Sequence, residues 1–596
     1  MSTHRRDTVL RVDLTAGTVE RERVPERWRR QFLGGKGLGA RYLYEDLAAG
    51  TDPLGPDNLL AMVWGPLTGY LPGESRLAVV TKSPLTGGFL DSYVGGTVPD
   101  ALAGALPDCL GVLVTGRATD PTTLVVADGD AHLEPADCWG ATTDETDAAY
   151  DGAVACIGPA GEHRVRYATV ATDGGDHHAG RGGAGAVLGA KRLKAVVARG
   201  DPPKVPEDLA GLRDTAEREY RESSTGRWHA ASGTLESVEF ADAVGALATR
   251  GWRESRFEGS EAVGVAAARA AATDRERPDR DTPGDFRVET DAGESVPRGA
   301  AAMSLGAGLG IDDFDAVAAL GATCDRLGID VIDAGSAVAW AVRASETGAL
   351  DRSLSFGDAE AARVLVRAIA HRDGDLADTL ADGLDAAAER YGGREVVPSV
   401  KAMALPAYDP RDAPAMALAY ATSDRGACHR RARPIETEAF DGGTWSDADR
   451  VDRVDRAQTA RSALWSLVVD DFVGETVDDL GASWLQALGD DHDVASLSRL
   501  GERVWTLTRL FNVREGFDRR DDRLPPALTV AAAGGDDALD PEAFEALLST
   551  YYAARGWGPR GRPTRRTLAR LDLAGVVDAV TPLDDRAVGV DRPADD

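Results

Sequence analysis

The stretch Gly180–Lys194 (GRGGAGAVLGAKRLK) is the feature that most constrains the fold of this chain. Five of its fifteen residues are glycine, and no β-branched residue occurs before Val187. A segment with so few side chains allows its backbone to come very close to another group. Bare backbone amides beside fixed positive charge favour an anionic, phosphate-bearing ligand. The cations of this stretch are Arg181, Lys191, Arg192 and Lys194.

Two other interpretations of this stretch are open. Gly180, Gly182 and Gly185 fit the dinucleotide-binding pattern G-x-G-x-x-G. That pattern needs a strand directly before it and a long helix after it. Here a polar loop separates the predicted strand Arg164–Thr172 from the glycines, and the next predicted strand, Leu193–Ala198, begins too soon. A nucleotide-dependent dehydrogenase is therefore disfavoured, whereas a glycine-rich packing turn remains an alternative.

Charge excludes several classes of partner. The chain has 596 residues, enough for two or three domains, and a formal net charge of -31. Nucleic acid and anionic membranes repel such a surface. Only six lysines occur in the whole sequence. A dense carboxylate surface that almost lacks lysine is typical of a cytoplasm very high in salt, so we predict a halophilic protein. An acidic partner-binding face is the alternative.

The sequence predicts a cytoplasmic protein without disulfides. It has no apolar run of membrane-spanning length, and its first residues lack the apolar core of a signal peptide. Its five cysteines are widely scattered. An odd number of cysteines in a reducing compartment argues against a disulfide framework.

Residue patterns predict a β-rich start followed by helices, an α+β fold. Thr8–Leu14 and Thr18–Val24 alternate apolar and polar residues and predict a hairpin. Phe32–Leu47 predicts a glycine-rich turn that enters a helix, with Lys36 placed to reach an anion. Helical patterns dominate after Pro206. Ala266–Arg298 is polar and contains prolines, which predicts a solvated loop.

Several long blocks of the sequence resemble the tungsten-containing aldehyde ferredoxin oxidoreductase family. They run from about Phe32 to Thr564 and span nearly the whole chain. The resemblance implies a β-rich base domain (residues 1–202) that binds a pterin, and two mainly helical domains above it (203–405 and 406–596). It places the cofactor between these domains. The blocks are Phe32–Leu47, Trp64–Gly96, Ile157–Tyr167, Gly180–Lys194, Gly233–Gly259, Cys324–Gly335, Val400–Ala432, Leu510–Leu528 and Tyr551–Thr564.

The resemblance also implies a cofactor and the residues that hold it. The family binds a tungsten (or molybdenum) bis-pyranopterin, with a magnesium ion bridging the two pterin phosphates. His429 matches the family's active-site histidine, a candidate proton carrier; without the family, an exposed histidine is the alternative. For Asp325, Gly328 and Asp330, helix punctuation is the alternative. The implied cofactor-binding residues are Lys36, Arg76, Gly95, Arg181, Gly182, Gly183, Asp325, Gly328 and Asp330.

Four departures from the family pattern separate this chain from an ordinary member. The family holds a [4Fe–4S] cluster with a C-x-x-C-x-x-x-C run, but no cysteine lies between Cys156 and Cys324 here. Since the cluster needs thiolates, we predict its absence. Tyr93 stands where the family usually has Asn beside the magnesium ion. A Glu-Tyr-Glu motif of the family is replaced by Arg298, Gly299 and Ala300. The Asp, Gly and Cys of the family's second pterin motif are replaced by Trp465, Val468 and Asp470.

Two functions follow from this pattern. The first is oxidation of a small aldehyde to a carboxylic acid at the metal, with ferredoxin or another acceptor taking the electrons. The second is a non-catalytic paralogue that binds the cofactor or acts as a partner subunit or scaffold. A homodimer and a hetero-oligomer are both open.

Overall fold

A computed structural model describes residues 6–280, 282–533 and 538–588. Within these residues the strands fall into two larger sheets near the N-terminus and two smaller ones. In chain order the strands are β1 Thr8–Asp13, β2 Thr18–Arg23, β3 Leu60–Val63, β4 Leu77–Lys82, β5 Phe89–Val94, β6 Cys109–Thr115, β7 Thr122–Ala127, β8 Asp130–Pro135, β9 Ala153–Cys156, β10 Val170–Thr172, β11 His177–Ala179, β12 Leu193–Arg199, β13 Ala272–Arg275, β14 Phe286–Thr290, β15 Gly293–Ser295, β16 Ser399–Val400 and β17 Met403–Ala404.

The two larger sheets form the β-rich base that the sequence predicts. Their strand orders are β2-β1-β6-β3-β4-β5 and β11-β10-β9-β12-β7-β8. The predicted hairpin is confirmed, because β1 and β2 pair antiparallel from Thr8 opposite Arg23 to Asp13 opposite Thr18. All six residues of β4 are buried, as are all six of β5. Strands buried on both faces need cover on each side, and α2 packs across β4 on one of them.

Helices dominate the described chain from Glu207 onward, which confirms the predicted change from strands to helices. Two of the longest, α19 and α21, pack against each other and against α2 of the base. The helices are α1 Glu26–Phe32, α2 Gly35–Asp46, α3 Val98–Ala105, α4 Thr143–Ala148, α5 Pro159–Glu162, α6 Ala184–Lys191, α7 Glu207–Glu222, α8 Ser224–Ser232, α9 Glu236–Ala243, α10 Val265–Ala271, α11 Gly299–Ala301, α12 Phe314–Leu327, α13 Val331–Glu346, α14 Ala359–His371, α15 Asp375–Ala381, α16 Leu384–Tyr391, α17 Pro414–Thr422, α18 Ile435–Asp441, α19 Asp447–Ser466, α20 Ala482–Ala487, α21 Val494–Arg514, α22 Pro541–Arg555 and α23 Arg565–Arg570.

The solvated loop predicted for residues 266–298 is wrong. This segment contains most of α10 and the three-stranded sheet β13-β14-β15. Phe286 and Val288 alternate with polar residues on β14 and are buried, and this strand packs against α12. The charges that suggested solvent exposure are partly internal: Asp285 is fully buried and pairs with Arg298 at 2.9 Å. Ion pairing therefore concealed a packed element in a polar sequence.

The five cysteines all lie in the described part of the chain and all are free thiols, as expected. Among the described helices, none combines the length and the apolar character that crossing a bilayer requires.

Candidate cofactor site

A cavity of about 330 Å³ lies where the β-rich base meets the helical part of the chain. Among the described residues, nine arginines line it against six carboxylates, in a chain whose net charge is -31. A cavity with this lining attracts anions. Of the ten site residues predicted from the sequence, those that line it are Arg76, Gly95, Arg181, Asp325, Asp330 and His429.

The glycine-rich stretch reaches the cavity through Arg181. It follows β11 and leads into α6, with Arg181, Gly182 and Gly183 all at positive φ. The Arg181 amide donates to Asp330 Oδ2 (3.1 Å), and its guanidinium lies 3.1 Å from Asp333 Oδ2. A side chain at Gly183 would collide with the Arg166 carbonyl, so this glycine is required by close packing. Neither Gly182 nor Gly183 lines the cavity; both have the packing role that the alternative interpretation gave them, and their contact with a cofactor stays a prediction.

Asp325, Gly328 and Asp330 lie at the junction of α12 and α13. Gly328 ends α12 with φ +68, and Asp330 caps α13 by accepting from the amides of Ile332 (3.1 Å) and Asp333 (3.0 Å). Ending one helix and capping the next therefore explains why Gly328 is present, and it explains one of the two roles considered for Asp330. It does not explain Asp325, whose carboxyl lines the cavity 3.3 Å from His178 Nε2.

Burial raises the pKa of Asp325 to about 8. An ordinary Asp pKa near 3.9 applies to the unfolded chain, so the folded state holds its proton more tightly. Stability from this group is full below pH ~4 and is lost as pH rises towards 8. Asp325→Asn cannot lose a proton in this pH range. We therefore expect its free energy of unfolding at pH 8 to be higher than that of the wild type, by on the order of 2 kcal/mol.

Unfolding midpoints between pH 5 and pH 8.5 measure this effect. Asp375→Asn is the matched control, because the Asp375 side chain is 91% exposed. A stability difference between Asp325→Asn and wild type that stays constant across this pH range would contradict the assignment.

His429 lies on the helical side of the cavity beside Tyr408, with ring centroids 5.6 Å apart. Its Nδ1 is buried and has no hydrogen-bond partner among the described residues. Burial lowers the pKa of His429 well below its usual value, and the nearby Arg433 and Arg430 lower it further. The imidazole is therefore neutral near pH 7, as a proton acceptor needs.

An ionic network includes Asp470, the residue that stands where the family pattern has a cluster cysteine. Arg76 contacts Asp470 Oδ2 (2.6 Å) and Glu74 Oε2 (2.9 Å). His177 Nε2 lies 3.1 Å from Glu74 and 3.3 Å from Glu276. Burial alone would raise the pKa of Glu74, but Arg76 and other cations outweigh it and lower the pKa to about 2. The arginine and the carboxylates of this network pair with one another, burial lowers the pKa of His177, and none of these groups is a thiolate of the kind that a cluster requires.

The cluster therefore does not fit this site. A pterin fits better, because the lining offers carboxylates for ring N–H groups and arginines for phosphate oxygens.

Lys36 lies outside the cavity. It is fully buried, with Nζ 3.2 Å from Asp91 and in an ion pair with Asp424. Its predicted contact with a cofactor stays a prediction.

The sequence interpretation missed other cavity residues, and only the His177-His178 pair just before Gly180 gave a local signal. The missed residues include Glu74, His177, His178, Glu276, Tyr408, Arg425, Arg430 and Arg433.

Comparison with known proteins decides the family. The model of the aldehyde ferredoxin oxidoreductase N-terminal domain matches residues 9–200, and the model of domains 2 and 3 matches residues 212–573. The chain belongs to this family. The resemblance and the α+β fold class predicted from the sequence are thereby confirmed.

Relatives and a solved structure agree with the family over nearly full length. The tungsten-containing aldehyde ferredoxin oxidoreductase of Pyrococcus abyssi is 32% identical over 600 residues, covering 95% of this chain and 98% of that protein. An aliphatic sulfonate oxidoreductase, WOR-like subunit, of Pyrococcus furiosus is 25% identical and covers 95% and 96%. The active-site complex BamBC of benzoyl coenzyme A reductase, solved with 1,5-dienoyl-CoA, shares the fold with TM-score 0.81 at 24% identity, covering 97% and 98%.

Proposed function

We propose that this aldehyde ferredoxin oxidoreductase family member oxidises an aldehyde to a carboxylic acid at a tungsten or molybdenum pterin, without a [4Fe–4S] cluster. The observation that carries the proposal is His429, a neutral imidazole that lines a cavity with nine arginines among the described residues. The relative from Pyrococcus abyssi is named as a tungsten-containing aldehyde ferredoxin oxidoreductase, which supports the same chemistry here.

The chain's own residues would bind, orient and move a proton. The cofactor, when bound, supplies the two-electron oxidation that side chains cannot perform. Asp325 and Asp330 would hydrogen-bond the pterin ring, and Arg76 and Arg181 would face its anionic groups. The His429 imidazole would accept a proton as water adds to the aldehyde. Electrons would leave to a docked partner protein or a diffusible acceptor, since the sequence lacks the cysteines with which the family holds its cluster.

A second function is supported by one observation at the cavity wall. Arg298, Gly299 and Ala300 line the cavity where the family pattern places Glu-Tyr-Glu, so no carboxylate from that motif is present. A non-catalytic, cofactor-binding subunit would tolerate this loss. Two of the similar proteins are described as a subunit or a complex, which is compatible with such a role. We further propose that the protein works in a cytoplasm high in salt, as its charge favours.

Metal content tests the proposal directly. Protein purified at high salt from its own host should contain tungsten or molybdenum and almost no iron, because the ionic network replaces the cluster. Elemental analysis by mass spectrometry measures both. Iron in the amount that a [4Fe–4S] cluster contributes would contradict cluster loss. Absence of tungsten and molybdenum would remove the proposed chemistry. Metal without aldehyde oxidation would favour the non-catalytic subunit.

A further inference from the structure

Two departures from the family pattern meet in space. Tyr93 on β5 and Trp465 near the end of α19 are distant in sequence, yet their rings pack with centroids 4.7 Å apart. Both side chains are buried, at 7% and 2% exposure. Tyr93 stands where the family has the Asn beside magnesium, and Trp465 where the second pterin motif has its Asp. The two substitutions therefore fill one common space.

Specific bonds hold both rings in place. The Tyr93 hydroxyl donates to Asp91 Oδ2 at 2.6 Å, and the Trp465 indole donates to Asp471 Oδ1 at 2.7 Å. The Arg431 guanidinium lies 4.7 Å from the Trp465 ring centroid. Rings fixed by hydrogen bonds and a cation–π contact do not leave their positions at low cost.

The backbone around Trp465 is also closely packed. Gly35, at the start of α2, lies so near the Trp465 carbonyl that any side chain there would collide with it. Lys36 Nζ lies 5.5 Å from the Trp465 ring centroid. The glycine-rich turn predicted to reach an anion instead packs against the segment that carries Trp465, so this side of the interior is filled.

We infer that this chain holds a single pyranopterin, on the side of Asp325 and Asp330, because Tyr93 and Trp465 close the second pterin seat. The inference rests on the proposed function. The open cavity of about 330 Å³ is at the lower end of the roughly 300–1,000 Å³ typical of a site for one small ligand. With one pterin there is no second phosphate for a magnesium ion to bridge, so that ion is absent as well.

The ratio of pterin to metal tests the inference in the wild-type protein. Pterin is released by denaturation, oxidised to its fluorescent form and quantified, and tungsten and molybdenum are measured in the same sample. We expect one pterin per metal atom. Two pterins per metal would overturn the single seat and leave the proposed function standing. Neither pterin nor metal would overturn both.

Substitutions test whether the Tyr93 and Trp465 rings are the cause of a pterin-to-metal ratio of one. Tyr93→Asn combined with Trp465→Asp restores the family residues and should raise the ratio from one towards two. Trp465→Phe is the matched control, because it keeps an aromatic ring in the space and should keep the ratio at one. If the double variant folds and binds metal but still contains one pterin per metal atom, the proposal that these two rings close the second pterin seat is contradicted. If the double variant does not fold, the wild-type ratio decides the question alone.

Discussion

His429→Ala is expected to abolish aldehyde oxidation and to leave metal and pterin content unchanged. His429 lines the cavity, so its removal deletes the proposed proton acceptor, while Asp325, Asp330, Arg76 and Arg181, the residues proposed to hold the cofactor, are unchanged. Loss of a positioned general base reduces the rate by about 10²–10⁴-fold. Turnover of a panel of small aldehydes with an artificial acceptor, together with metal analysis, measures both quantities.

The pH profile and a control variant sharpen this test. Because burial and neighbouring arginines lower the pKa of His429, its neutral form persists to acidic pH. Activity should therefore not fall as pH drops through ~6.5, where an ordinary histidine gains its proton. His132→Ala is the control, since that side chain is 59% exposed. Equal activity in His429→Ala and His132→Ala would remove His429 from the mechanism.

Arg431→Met is expected to cause the largest loss of stability. The Arg431 side chain is fully buried and pairs with Asp91 and, at 3.0 Å, with Asp424. These carboxylates join β5 of the base to the helical part of the chain, and Lys36 is their other cation. Removing Arg431 leaves two buried carboxylates with one cation, which costs about 3–5 kcal/mol.

Denaturant unfolding at constant high salt measures this loss. Arg520→Met is the matched control: Arg520 also pairs with an aspartate, but its side chain is 82% exposed, so its loss should cost less than about 1 kcal/mol. Arg431→Met with Asp424→Asn should cost less than the sum of the two single changes, because the second removes a carboxylate that the first leaves unpaired. Similar costs for Arg431→Met and Arg520→Met would contradict the buried network.

The sequence predicted most of the fold and the position of the cavity wall. Local alternation was enough for the β1–β2 hairpin, because both strands and their turn are contiguous. The long family-like blocks were enough to predict that a β-rich region comes first and that helical regions follow it. Arg76 and His429 were assigned from separate blocks, and the fold brings both to one cavity.

The remaining features depend on contacts between distant segments. Residues 266–298 looked solvated because their carboxylates appear unpaired in the sequence, although Asp285 finds Arg298 after folding. Lys36 looked free to bind an anion because Asp91 and Asp424 lie far from it in the chain. Tyr93 and Trp465 looked like two independent losses, and only their ring contact gives them a common role.

The arginine lining beneath an acidic exterior has a consequence for how fast anions enter. A protein with a net charge of -31 repels a negatively charged molecule before that molecule can reach the arginines of the cavity. The Debye length shrinks from about 10 Å at 0.1 M salt to about 3 Å at 1 M, which suppresses the long-range repulsion more than contacts inside. Concentrated brine thus speeds the association of anionic molecules with this protein, the reverse of ordinary electrostatic steering.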